Sequence, residues 1–196
     1  MEWGVKIMYV ISSESASKIV RNNSSKLISD KNAFIPFLHE ALNSTGIPVD
    51  MIVMANGVNY LSDDVDLVLS GFCNESPSLA DCWCGKWEKH SSADVSCWEA
   101  MRNIPIGRAI RDRDLINMRV KPQRELQLDF EKTVGKGDIA VVPVARTWIS
   151  ASIILFYKIG KGNLFNKPEL IELGYCCDAI NFLLRKSEME NNFLRI

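Results

Sequence analysis

This 196-residue sequence has no run of about 18 apolar residues, so nothing in it reads as a membrane-spanning helix. Its short apolar start, Val5 to Ile11, has no basic n-region before it and no small-residue cleavage site after it, so no secretory signal is read and the chain is expected in the cytoplasm. It lacks an excess of either charge. The 23 Lys and Arg balance 24 Asp and Glu to a net charge of -1, which leaves no global pull toward nucleic acid or anionic lipid. Phosphate-loop glycines are missing too: Gly135-Lys-Gly137 and Gly160-Lys-Gly162 are too short and lack the Walker spacing. There is no internal repeat, and no low-complexity tract beyond a serine-rich start.

The cysteines are six: Cys73, Cys82, Cys84, Cys97, Cys176 and Cys177. A chain that is 47% hydrophobic can bury a full core and needs no disulfide framework. Cys176 and Cys177 are neighbours on a predicted helix, where successive side chains diverge by about 100° and cannot easily bridge. Cys82-Trp83-Cys84 is not the C-x2-C knuckle of structural zinc. With His90 nearby it leaves a metal or redox site as a secondary reading, behind reduced, packed thiols. The best catalytic grouping would be one of Cys82, Cys84 or Cys97 with His90 and Asp94, but nothing marks an oxyanion site beside it. No enzyme activity, metal or cofactor is therefore expected.

The pattern predicts one domain over residues 31–190, after a weakly ordered segment 1–30. Ser12 to Ser29 holds seven serines and two asparagines, with no apolar stripe beyond a helical turn at Ser15 to Val20. A helix capped by Asp30 follows, with Phe34, Phe37, Leu38, Ala41 and Leu42 on one face and Gly46 ending it; Pro36 is awkward in it unless it lies in the first turn. His39 on it reads as a surface residue. Val49 to Ala55 reads as a strand closed by an Asn56-Gly57 turn, and Asn59 to Leu61 and Val65 to Leu69 continue an antiparallel meander. Ser78 to Met101 reads as helical. Ile104-Pro-Ile-Gly107 is a turn, Arg108 to Leu115 a short strand and turn, and Gln123 to Thr133 a helix. Two strands, Asp138 to Val144 and Ile149 to Tyr157, form a hairpin, and a long helix runs from Pro168 to Lys186. Leu170, Leu173, Gly174, Cys177, Ile180 and Leu184 form its apolar stripe, with Asn181, Arg185 and Lys186 elsewhere. The fold class is α/β (α+β): a mostly antiparallel sheet with helix layers on both faces.

Two local features stand out. Arg108, Arg111, Arg113, Arg119, Lys121 and Arg124 crowd one segment, interleaved with Asp112 and Asp114; this reads first as a solvated face and second as a partner or nucleic-acid patch. The other is aromatic. Trp83 and Trp87 stand four apart on one helix face, with Trp98 further along. Stacked indoles serve as core packing or as the wall of a pocket, because indole offers a broad apolar surface and one N–H donor. Asp94 serves as a helix cap or as a carboxylate that accepts hydrogen bonds from a ligand.

From Trp83 to Lys186 the chain resembles the N-terminal signal-binding domain of LuxR-type transcription regulators, including the autoinducer-binding and GAF-like relatives. Trp83-x-x-x-Trp87 is similar to the family's W-x-x-x-Y, with an indole N–H in place of the tyrosine hydroxyl. Ala93-Asp94-Val95 stands where the family has Asp-Pro. Pro105 to Leu115 resembles the P-G-R-V-V-R-x-x-D-L stretch of GAF-like members. Ile139 to Val144, Ser150-Ala-Ser152 and Phe165-x-x-x-Glu169-Leu170 resemble the closing hairpin and final helix. The resemblance implies a GAF/PAS-like sensory fold with a small-molecule pocket on one sheet face, and ligand-binding roles for Trp83, Trp87, Asp94 and Ser152; Trp98, in the same aromatic segment, is a further ligand-binding candidate. It implies a small-molecule signal and a homodimer formed through the last helix. DNA binding would run through a helix-turn-helix, which these residues do not contain. The alternative expectation is an interaction module that pairs with full-length regulators without a ligand.

Overall fold

The computed structural model describes residues 14, 16–17, 21, 31–59, 68–73, 76, 78–82, 84, 103–116, 132, 135, 137–146, 150–160 and 162–193. The first helix, α1, is Lys31–Thr45. Ile35, Leu38, Ala41 and Leu42 repeat at helical spacing and are buried, each of the larger side chains contributing about 1.5–3 kcal/mol. The proposed Asp30 cap and the side chains of Phe34 and Phe37 lie outside the described residues. Pro36 is the sixth helical residue, so it falls past the expected first turn. It has no N–H to give the carbonyl four residues back, a cost offset by the burial of Ile35 and Leu38 around it. Gly46, at φ 81, closes the helix and donates its N–H to the Asn43 carbonyl (3.1 Å). His39 is buried, not on the surface. Its Nε2–H donates to the Val49 carbonyl (3.0 Å) while Nδ1 accepts from the Asn43 amide (3.2 Å), fixing the helix end to the chain entering the sheet.

Five strands form one antiparallel sheet. In chain order they are β1 (Met51–Asn59), β2 (Val68–Cys73), β3 (Ile110–Arg111), β4 (Gly137–Arg146) and β5 (Ser150–Ile159), arranged β2-β1-β5-β4-β3 across the sheet. Asn56-Gly57 is not a turn. β1 runs through it, and the irregularity appears as a shift between Ala55 and Val58 against β5. Pairing with β5 and with Val68 of β2 outweighs the local turn preference. β2 continues to Cys73 rather than ending at Leu69; 60–67, which carry the rest of the expected meander, lie outside the described residues. The hairpin β4–β5 is as expected, each strand slightly longer. Pro143, with no N–H to give, sits where β4 shifts register before Ala145.

After β3 the chain forms a short helix, α2 (Asp112–Ile116), where a turn was expected; Asp112 and Asp114 favour its N-terminal turn. The last helix, α3, is Lys167–Phe193 and outruns the expected span at both ends. Asn166 and Glu169 cap it reciprocally: Asn166 Oδ1 accepts the Glu169 N–H and Glu169 Oε2 accepts the Asn166 N–H, both at 2.9 Å.

Alternation divides the sheet into two faces. On the first, Ile52, Ala140, Val142, Ile154 and Phe156 pack with α1 and α3 in one core. Leu173, Cys176, Cys177 and Leu183 are the buried side of α3. Asn181, expected elsewhere, turns toward the sheet and donates to the Val144 carbonyl (2.7 Å). On the second face Met51, Val53, Val141, Ile153, Leu155 and Tyr157 form a separate core with Cys73, Ala80, Cys84 and Ile104. The expected helix over residues 123–133 lies outside the described residues, apart from helical Lys132. No helix among the described residues is long and apolar enough to cross a membrane.

Candidate functional site

Residues 78–82 and 84 are helical and bring Ala80 and Cys84 down onto β1 and β2 on the second face. Gly71 makes this approach feasible. A methyl group there would meet Ala80 Cβ at 3.0 Å, Cys84 Sγ at 3.1 Å and Val53 Cγ2 at 3.5 Å. Trp83 stands in sequence between Ala80 and Cys84. Trp83 itself, and Trp87, His90, Asp94, Cys97 and Trp98, lie outside the described residues.

Ser152 is described, near the start of β5. β5 is unbroken from Ser150 to Ile159, so Ser152 alternates in step with Ile154 and Phe156, which belong to the core beneath α1 and α3. Ala80 and Cys84 pack on the opposite face. The fold thus sets Ser152 on the other side of the sheet from the segment that flanks Trp83. Its ladder partner is Ala145, just past the β4 irregularity. The side chains that line the second face from β5 are instead Ile153, Leu155 and Tyr157.

The densest polar grouping was not foreseen. Asp138 is 3% exposed at the start of β4. Its Oδ1 accepts from Arg113 Nη2 (2.6 Å) and Nε (3.0 Å), and its Oδ2 accepts the Phe165 N–H (2.8 Å). Arg113 is therefore committed to an internal carboxylate, unlike Arg111, whose bond to Asp114 lies at the surface. Next to it, Lys158 is 6% exposed within β5 and donates to Glu169 Oε1 (2.7 Å) and the Leu164 carbonyl (3.4 Å), with its ammonium 4.9 Å from the centre of the Phe165 ring. Asp50 Oδ2 accepts the Ile159 N–H (2.6 Å) across from them. The bonds to the Phe165 N–H and the Leu164 carbonyl hold the 163–166 loop against the hairpin, and the buried Asp138 and Lys158 are each satisfied. A single lysine in the apolar run of β5 and a single aspartate opening β4 were the sequence signals for it.

Burial pushes the Cys176 thiol up to about 12, with the Glu172 carboxylate adding to the rise. Burial also pushes Cys177 well up, with smaller contributions from Cys176 and Asp178. Such thiols stay protonated and are poor nucleophiles. Asp178 is exposed as a residue, yet its carboxylate is pressed on the Gly107 turn, and that desolvation raises its pKa. Glu172 Oε2 is buried without a hydrogen-bond partner. Among the described residues, no group of three His, Cys, Asp or Glu side chains could hold a metal ion. No protein-family model matches this chain, and no curated protein matches it.

Proposed function

We propose that the chain is a small-molecule signal-sensing domain of the LuxR-regulator kind, with a GAF/PAS-like fold. The ligand packs on the second face of the sheet. Trp83, Trp87, Asp94 and Trp98 supply its polar and aromatic contacts, and β5 offers Ile153, Leu155 and Tyr157 in place of Ser152. Binding stabilises the folded state and a homodimer, and control of DNA runs through a helix-turn-helix outside these residues. The observation that carries the reading is a second apolar core, separate from the one under α1 and α3, onto which the segment flanking Trp83 is laid. Ligands that bind the folded state alone stabilise it by about 2.7 kcal/mol at 100-fold excess over Kd. For a domain of this size that raises Tm by roughly 5–10 °C. Melting the protein against a panel of amphipathic small molecules tests this: at least one should give such a shift, and Trp83→Ala should abolish it. A panel without any shift counts against sensing.

A second reading, an interaction module without a ligand, has one observation in its favour. Ile171 and Tyr175 are 48% and 36% exposed one turn apart on α3, and Ile106 is 46% exposed on the turn that packs against that helix. Size-exclusion chromatography across concentration separates the two. A ligand-independent dimer that Tyr175→Glu dissociates favours this reading; a monomer that pairs only with ligand favours sensing.

A further inference from the structure

Residues 103–116 reach both cores, and we infer that they form a strap coupling the second face of the sheet to α3. The inference rests on the reading of that face as the ligand face. Ile104 is 7% exposed within the second-face core, and Ile110 packs against the same core. Between them Ala109 packs against the first core. Gly107 is the crossing point. It has φ 78, and its N–H donates to the Pro143 carbonyl (2.8 Å) at the shifted register of β4. Its own carbonyl oxygen occupies the space a Gly174 side chain would need, and a side chain at 107 would fall on the Asp178 carboxylate. Both glycines are required for this contact.

Further along, Arg113 grips Asp138, whose other oxygen holds the Phe165 N–H just before α3. The strap therefore meets α3 twice, at Gly174 and Asp178 within the helix and through Asp138 at its head. Close-packed interiors pass on a shift in one side chain instead of absorbing it. A molecule that packs differently against Ile104 and Ile110 in two strap positions biases α3 by that difference in contact energy.

Cys176 and Cys177 report on α3, because both are buried and are alkylated only when the helix lifts. The measurement follows their alkylation by iodoacetamide, by peptide mass spectrometry, in Ile104→Ala and in Val53→Ala. Both variants truncate the second-face core, but Val53 lies on β1, beyond β5 and β4 from the strap. Urea is adjusted to give the two equal global stability. Coupling predicts labelling at least about fivefold faster in Ile104→Ala. Should that variant fail to fold, Arg113→Met against the surface control Arg111→Met asks the same question and predicts the same excess. Equal rates within the pair overturn the strap. No ligand is involved, so a melting panel without a shift removes the sensing reading and leaves this result standing, while equal rates remove the strap alone.

Discussion

Replacing Asp138 by alanine removes one carboxylate and three hydrogen bonds at once. The two costs differ in kind. The Phe165 N–H is buried and loses its acceptor, which costs about 1–3 kcal/mol. The Arg113 side chain is 39% exposed, so its guanidinium can return to water and the charged bonds are worth about 1 kcal/mol. Their sum, about 2–4 kcal/mol, is a large part of the 5–15 kcal/mol that holds a domain together. With a urea m-value of about 2 kcal/mol/M, the midpoint falls by roughly 1–2 M. Asp138→Asn keeps one acceptor oxygen for Phe165 but turns its NH2 donor toward Arg113, losing the charge and both guanidinium bonds, so it should fall between wild type and alanine, about 1 kcal/mol or more down. Arg111→Ala breaks a pair whose side chains are 32% and 45% exposed and should cost no more than about 0.5 kcal/mol. Urea unfolding followed by tryptophan fluorescence measures all three. If Asp138→Ala unfolds with the same midpoint as Arg111→Ala, the clamp at the head of α3 is not a stabilising feature and the reasoning fails.

Gly71→Ala should lower stability by about 1–3 kcal/mol, because its methyl meets Ala80 and Cys84 at 3.0 and 3.1 Å; the paired change Gly71→Ala with Cys84→Ala should recover part of that loss, and denaturant midpoints decide it. At pH 8 a thiol raised to about 12 is thiolate in roughly one molecule in ten thousand, so iodoacetamide should modify exposed Cys82 in the native protein and leave Cys176 untouched, as peptide mapping would show. The folded state keeps these protons above 9.0 while the unfolded chain releases them, so stability holds below about pH 9 and declines toward pH 12; Cys176→Ala with Cys177→Ala should flatten that decline in pH-dependent melting. Asp178 has the same sign: its raised pKa favours folding when it is protonated, and that advantage is lost as pH rises past 3.8, so Asp178→Asn should raise the midpoint at pH 7 and leave it unchanged at pH 3.

Periodicity and turn chemistry made most of the framework legible. Leu38, Ala41 and Leu42 placed α1, Gly46 ended it, and the apolar runs of β4 and β5 announced the hairpin. Where local rules failed, long-range pairing had overridden them. Asn56-Gly57 prefers a turn in isolation, but Asn56 pairs with Val68 of β2 while Ala55 and Val58 on either side pair with β5, so the strand runs through the dipeptide as an irregularity. The site was less legible, for a related reason. Asp138 and Phe165 are 27 residues apart, and Arg113 and Asp138 are 25 apart, so no window of the sequence holds the clamp. Ser152 was assigned by counting along a similar motif, whereas the face it occupies is set by the phase of β5, in which Ile153, Leu155 and Tyr157 go one way and Ile154 and Phe156 the other. A count that slips by one residue changes the face of every side chain after it. Residue spacing therefore located the sheet, but only the phase of β5 decides which of its side chains share a face.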